Sequence, residues 1–344
     1  MKVTIKDIAR YAGVSVSAVS IALNNRKGIS ETTRSKILQT AKQYNYIPNY
    51  AARSLISKHS SIIGVIIIDI TDPFFSELAK GIEEQANRQG YSIILCNTGG
   101  SIENERKSMI TLMSQGVDGI ILATVLHDDI NLNMLVAEHY PFILVNRISL
   151  NHLHDEKIDH VIIDNYTGGF KAMEHLYRIG HDKIAVLTGL MKVSTIIERT
   201  RGVRAAIDHY GIRFDERHFV ECDYSRQKAY DATKRLLALK GHPTAFFAQD
   251  DNMALGVREA VLSLGMDIPG DIALIGFDDC DTASLAGIEL TTVSQKKYEI
   301  GSIATDILIK KIESRTPPLV NKVVLDTELV IRKTCGYIET GYTR

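Results

Sequence analysis

Between Val3 and Asn24 two short apolar-periodic segments meet at a single glycine, a spacing that leaves room only for two helices joined by a tight turn. Thr4 is placed to cap the first, with Asp7 three positions on at its positive end. Ile5, Ile8, Ala9 and Ala12 then share one face. Gly13 can take the left-handed conformation that turns the chain, Val14 fills the corner, and Ser15 caps the second helix. That helix buries Val19 and Leu23 and presents Val16, Ser17, Ser20 and Ile21 on its other side, a face able to meet base edges in a major groove.

Helix pairs joined by glycine also occur in purely structural bundles, so charge has to decide. Residues 1–58 carry ten Lys and Arg against Asp7 and Glu31, a net +8, so the rest must hold −9 to reach the chain total of −1. A basic head on an acidic body fits a protein that docks one end on phosphates and keeps the other away from them.

A third helix is expected from Ser30 through Ile37, Leu38 and Ala41 to Tyr44, closing a head over 1–48. After Tyr46-Ile-Pro48, Asn49 can cap a short helix over Tyr50–Ile56, ahead of the polar stretch Ser57–Ser61. So short a helix is marginal in water and should form only on a partner. Residues 49–61 are thus read as a hinge.

From Ile62 onward short apolar runs alternate with amphipathic helices, the pattern of α/β layers with parallel sheets. Strands are predicted at 62–69, 92–97, 119–123, 142–146, 160–163, 183–187, 218–222, 245–248 and 273–276. A strand, a helix ending at Gly90 and the strand to Cys96 recur as a strand, a helix ending at Gly211 and the strand to Cys222. The fold class is therefore α/β: a helix-turn-helix head, a hinge helix, and two doubly wound parallel-sheet lobes within 62–335. Open sheets of this kind bind ligands beyond the carboxyl ends of their strands. Those ends are polar here: Asp69, Asn97, Thr124, Asn146-Arg147, Cys222-Asp223, Gln249-Asp250-Asp251 and Phe277-Asp278-Asp279. Any one could simply begin a solvated loop, and Asp251 is well placed as a helix cap. Converging from two lobes with an Arg and an aromatic, they suit a ligand rich in hydroxyls, such as a sugar.

Other functions find little purchase. The longest apolar run, Ile62–Ile68, is far short of the ~20 residues of a membrane span, and no secretory leader is evident, so the chain is expected in the cytoplasm. Cys96, Cys222, Cys280 and Cys335 lack zinc spacing and are expected as buried thiols; His152 and His154 stand on a polar loop without a third ligand. Gly265 and Gly270 have phosphate-loop spacing, but Asp271-Ile272 replaces the required Lys-Ser/Thr. The neighbouring pairs Asp250-Asp251 and Asp278-Asp279 point apart rather than pairing as acid and base. No catalytic residue, metal or cofactor is expected.

V-T-I-K-D-I-A-x-x-A-G-V-S at the start, Y-I-P-N at 46–49, A-R-S-L at 52–55, E-R-T-R-G at 198–202, M-A-L-G at 253–256, I-G-F-D-D at 275–279 and L-T-T-V-x-Q at 290–295 together resemble the lactose/galactose repressor family. The resemblance runs from Val3 to about Thr334. It implies a homodimer on a pseudo-palindromic double-stranded DNA operator, controlled by a small effector between lobes that resemble periplasmic sugar-binding proteins. DNA-facing positions would be Thr4, Ser15, Val16, Ser17, Ser20, Ile21, Asn24 and Arg34 in the head, with Asn49, Ala52, Arg53 and Leu55 at the hinge, Leu55 wedging into the minor groove. Effector contacts would be Phe74, Asn146, Arg199, Asp250 and Asp278. The family's crossings imply lobes of about 62–160 plus 291–317, and 161–290 plus 318–335. Ile21 stands where many relatives have a base-reading Arg, and Asp250 replaces the more usual Asn. A sugar-released repressor of a carbohydrate-use operon is the expectation. The alternatives are control by a purine or phosphoprotein co-repressor, or a sugar-transport receptor, for which the basic head would be useless.

Overall fold

The computed structural model describes residues 3–23, 27–46, 59–126, 129–149, 157–314 and 319–337. The chain divides into two compact units, Met1–Ser60 and Ser61–Arg344.

In the first unit, α1 (Ile5–Ala12), α2 (Val16–Leu23) and α3 (Glu31–Gln43) enclose a core of Ile8, Ala12, Val19, Ala22 and Ile37. Thr4 and Asp7 form a reciprocal capping box, and Gly13 adopts φ 64°, donating its N–H to the end of α1. Ser15 Oγ accepts from Ala18 N at 3.1 Å, and Ser30 caps α3. On α3, Leu38 is 45% exposed, and Ile37 and Ala41 are the helix's buried residues in the small core.

The second unit contains two six-stranded sheets. One has the order β11-β5-β4-β3-β1-β2, formed by β1 (Ile62–Ile67), β2 (Ser92–Asn97), β3 (Gly119–Leu122), β4 (Phe142–Val145), β5 (His160–Ile163) and β11 (Lys322–Leu325). The other is β12-β10-β9-β8-β6-β7, formed by β6 (Ile184–Thr188), β7 (Phe219–Glu221), β8 (Ala245–Ala248), β9 (Ala273–Asp278), β10 (Thr291–Ser294) and β12 (Glu328–Val330). Every pairing is parallel except β10 with β12. β1 is apolar throughout because a central parallel strand is covered on both faces; Ile63, Val65, Ile66 and Ile67 are fully buried, each contributing roughly 1.5–3 kcal/mol.

Helices α4 (Pro73–Arg88), α5 (Ile102–Ser114), α6 (Leu132–Ala137), α7 (Asn165–Arg178), α8 (Ser194–Tyr210), α9 (Arg226–Leu237), α10 (Asp251–Ser263) and α11 (Lys297–Glu313) connect and cover these sheets. Glycines let two helix pairs approach closely. A Cβ on Gly81 of α4 would collide with the Tyr298 carbonyl on α11, and one on Gly169 of α7 with the Arg199 carbonyl on α8.

The lobe boundaries differ from expectation at three places. β5 pairs with β4 and β11 in the first sheet, so the chain first crosses after Ile163 rather than at 160–161. Thr291–Ser294 belongs to the second sheet beside β9, so the return to the first lobe comes only beyond Ser294. β11 is still in the first sheet, so residues 322–325 also lie there, and β12 alone goes back. A strand's own residues show that it is buried but not which sheet it extends.

Candidate functional site

On the first unit, Val16 is 42% exposed, Ser17 is exposed, and Ser20 and Ile21 are half-buried, so the predicted reading face of α2 is accessible. Thr4, Ser15 and Arg34 are each engaged within the head itself, Ser15 through its bond from Ala18 N. Thr4 donates its hydroxyl to Asp7 at 2.7 Å. Arg34, with only 12% of its side chain exposed, reaches the Ala22 carbonyl at 3.3 Å and lies 3.5 Å from Glu31, which braces the end of α2. Asn24, Asn49, Ala52, Arg53, Leu55 and the whole expected hinge helix lie outside the described residues, as do His152 and His154.

In the second unit the strand ends of both sheets line one cleft of about 710 Å³. All five predicted effector residues are on its wall. Asp72 caps α4 through a 2.9 Å bond from Phe74 N, and Pro73 fixes the first turn, so Phe74 is set against Phe75 edge to face and faces the cleft. Asn146 ends β4 at φ 64°. Arg199 sits on α8, held where Gly169 lets the two helices touch. Its Nε donates to Asn165 Oδ1 at 2.9 Å and Nη1 to the Gln249 carbonyl at 2.6 Å, while the guanidinium stacks 3.6 Å from the Phe277 ring centre. Asp278 ends β9 with φ 128° and its Oδ1 lies 4.0 Å from Arg199 Nη1.

Asp250, not Asp251, caps α10, accepting from Met253 N at 2.7 Å. Asp251 is instead a buried brace: it accepts from Cys280 N at 2.9 Å and Thr292 Oγ1 at 2.6 Å, tying the turn after β9 to strand β10. The sequence cannot separate two adjacent aspartates by one residue of register.

Burial raises every one of these carboxyls. Asp278 is pushed up to about 6 by desolvation, with Arg199 opposing. Asp251 is pushed up to about 8 by burial and the Asp278 charge. Asp250 is driven well above the carboxylate range by the same two causes, in that order. Ionising them together is unfavourable, and donors brought by a ligand would relieve that.

Four further buried atoms of the cleft wall have no hydrogen-bond partner among the described residues: Asn146 Oδ1, Arg147 Nε, Tyr224 Oη and Gln295 Oε1. A buried polar group left unbonded costs roughly 1–3 kcal/mol, so a donor- and acceptor-rich ligand would be strongly favoured there. Arg147 also lies 5.6 Å from the Tyr224 ring, and Tyr224 is itself at φ 56° beside Gly189. Sequence reasoning places Arg147 among the converging strand ends without carrying it into the effector set, and it passes over Tyr224, Gln295 and Asp72, which also line the cleft. Arg147 has a signal in its place beside Asn146 at a strand end, and Gln295 in the L-T-T-V-x-Q run, but nothing local marks Tyr224. Asn97, another predicted strand end, is used to accept Ile70 N at 2.8 Å.

Among the described residues no group of three potential metal ligands occurs, and no helix is long and apolar enough to cross a membrane. Cys222, Cys280 and Cys335 are buried free thiols, whereas Cys96 is only half-buried.

A helix-turn-helix head together with a two-lobed ligand-binding unit defines a ligand-responsive, DNA-binding transcription regulator. Residues 4–49 match the model of bacterial regulatory proteins of the lacI family, and residues 60–329 that of periplasmic binding proteins and the sugar-binding domain of the LacI family. The chain therefore belongs to the LacI family of transcription regulators. It is 36% identical over 315 residues to the ribose operon repressor of Escherichia coli K12, covering 91% of this chain and 94% of that one. A lac repressor dimer bound to operator and the anti-inducer ONPF superposes with a TM-score of 0.85 at 28% identity, covering 97% of this chain and 99% of the other. A LacI-family regulator from Enterococcus faecium with bound ribose gives 0.69 at 30% identity, covering 81% and 100%.

Proposed function

We propose that this protein is a homodimeric repressor of a carbohydrate-use operon, released from its operator by a monosaccharide of the ribose type bound in the interlobe cleft. The observation that carries this reading is the set of buried polar groups converging from both lobes. Asn146 Oδ1, Arg147 Nε and Gln295 Oε1 lack partners among the described residues, while Asp250 and Asp278 are buried with raised proton affinity around Arg199. Several hydroxyls on one small ring can donate to the carboxyls and accept from the guanidinium at the same time. The relatives agree in kind, since one is a ribose operon repressor and another holds ribose.

In this reading Phe74, Asn146, Arg199, Asp250 and Asp278 hold the sugar, while Val16, Ser17, Ser20 and Ile21 face base edges and Leu55 enters the minor groove. Thr4 acts by capping α1, and Ser15 and Arg34 act by holding the reading helix in place. Thermal unfolding against a panel of pentoses, hexoses, nucleosides and phosphosugars tests the effector class. At 100 times its dissociation constant a ligand stabilises by about 2.7 kcal/mol, so D-ribose should raise the midpoint by several degrees. A shift with nucleosides and none with sugars would replace this reading by a purine-type co-repressor.

A further inference from the structure

Lys297 is out of place by local rules. It begins α11, where the helix dipole disfavours a cation, follows Lys296 at φ 51° with no side-chain cap, and is only 2% exposed. Such a residue persists where its ammonium is fully used elsewhere, and here three partners surround it. Nζ donates to the Asp278 carbonyl at 2.6 Å and the Asp279 carbonyl at 2.8 Å, and lies 3.1 Å from Glu77 Oε2. The two carbonyls belong to the second lobe and to residues with φ of 128° and 53°, the turn that aims the Asp278 carboxyl into the cleft. Glu77 lies on α4 in the first lobe, a turn beyond Phe74.

We propose that Lys297 couples effector occupancy at Asp278 to helix α4, through one ammonium that grips the Asp278–Asp279 peptides on one side and Glu77 on the other. α4 and α11 pack with their backbones touching at Gly81 and Gly301, so a pull on the ammonium is delivered to the helix pair as a unit. Three donors allow three bonds, and Lys297 has all three filled, so displacement of the Asp278 turn, while its two short carbonyl bonds hold, draws the ammonium away from Glu77. Lys297 is thus a positioning residue that touches no ligand. Its role rests on Asp278 being an effector contact, and the two ideas can fail separately.

The test uses the full-length protein in two arms. In the first, operator affinity is measured with and without saturating D-ribose. Allosteric coupling typically spans about 5–150-fold. Glu77→Gln, which keeps the ammonium and both carbonyl bonds, should leave ribose affinity and ribose-free operator affinity within about threefold of the unchanged protein, yet bring the ratio of the two operator affinities close to one. Lys297→Met should likewise bring that ratio close to one but, having lost both carbonyl bonds, should also weaken ribose binding. The second arm needs no ligand: amide hydrogen exchange across residues 73–88 is followed on Asp278→Ala. The substitution should speed exchange in α4 in the otherwise unchanged chain and leave it unaltered in the Glu77→Gln or Lys297→Met background. A full ribose response in Glu77→Gln, or an equal α4 effect of Asp278→Ala in every background, overturns the proposal. If the unchanged protein ignores ribose, the effector reading fails, and the exchange arm alone decides the role of Lys297.

Discussion

Glu105, in the first turn of α5, should make this protein less stable as pH rises through neutrality. It is 2% exposed, accepts from Asn131 Nδ2 at 2.8 Å and from the Thr124 hydroxyl, and stands beside Asp129, also 2% exposed. Burial first and the Asp129 charge second push it from 4.5 up to about 7. An acid whose affinity for the proton is higher in the folded chain binds more protons folded than unfolded between those two values. Stability contributed by the protonated form is therefore lost as pH climbs from 4.5 to 7, and beyond 7 the loss is constant. At 1.36 kcal/mol per unit, the difference amounts to about 3 kcal/mol at most. Glu105→Gln keeps an acceptor for Asn131 Nδ2 and turns an amide N–H toward the Thr124 hydroxyl, which can accept it, while removing the ionisation. Urea unfolding at about pH 5 and pH 8 should show the wild type losing up to ~3 kcal/mol more than the variant over that interval, with the variant the more stable at the higher pH. Equal pH dependence in the two proteins would refute the reasoning. Thr124 and Leu126 line the cleft, so the same titration bears on the loop that shapes it.

Ile21→Arg should move base preference at one position in each half-site toward guanine, since Arg can pair with both O6 and N7; selection from random DNA checks this, and an unchanged site would mean residue 21 does not meet the bases. Leu55→Ala should cost on the order of 1–3 kcal/mol of operator affinity with little change on random DNA, measured by titration of both duplexes; equal losses would remove the wedge role. Arg199→Ala should weaken sugar binding at least about tenfold but also lower the unfolding midpoint, because Arg199 braces Asn165 and the Gln249 carbonyl as well as facing the cleft. Unaltered thermal stability in that variant would show the bracing bonds to be unimportant.

The head was legible almost residue by residue because its signals are local: the Thr4–Asp7 box, the left-handed Gly13 and the Ser15 and Ser30 caps each depend on neighbours within four positions. The strands from β1 to β9 were legible for a similar reason, since buried parallel strands read as apolar runs. Crossings between lobes were not. The half-exposed β11 lacks a continuous apolar run, and its place in the first sheet is settled by β5, more than a hundred residues away, while β10 and β12 are placed by pairing with β9 and with each other. At the site, polar strand ends pointed to the cleft wall, and the family resemblance selected five of its residues. Lys297 and Tyr224 act through backbone geometry and contacts across lobes, which no local pattern carries. The exchange of roles between Asp250 and Asp251 turns on one residue of helix register.

The most direct test is operator binding by the full-length protein with and without saturating D-ribose, repeated on Asp278→Ala. Asp278 lies in the unit distinct from the head and is the cleaner choice beside Arg199, since its side chain's protein bond is to Gln295 rather than to the frame of the lobe. The account predicts that ribose weakens operator binding by the unchanged protein at least about tenfold, and that Asp278→Ala binds operator with near-normal affinity but ignores the sugar. A full ribose response in Asp278→Ala, or operator affinity in the unchanged protein that ribose does not alter, would contradict it.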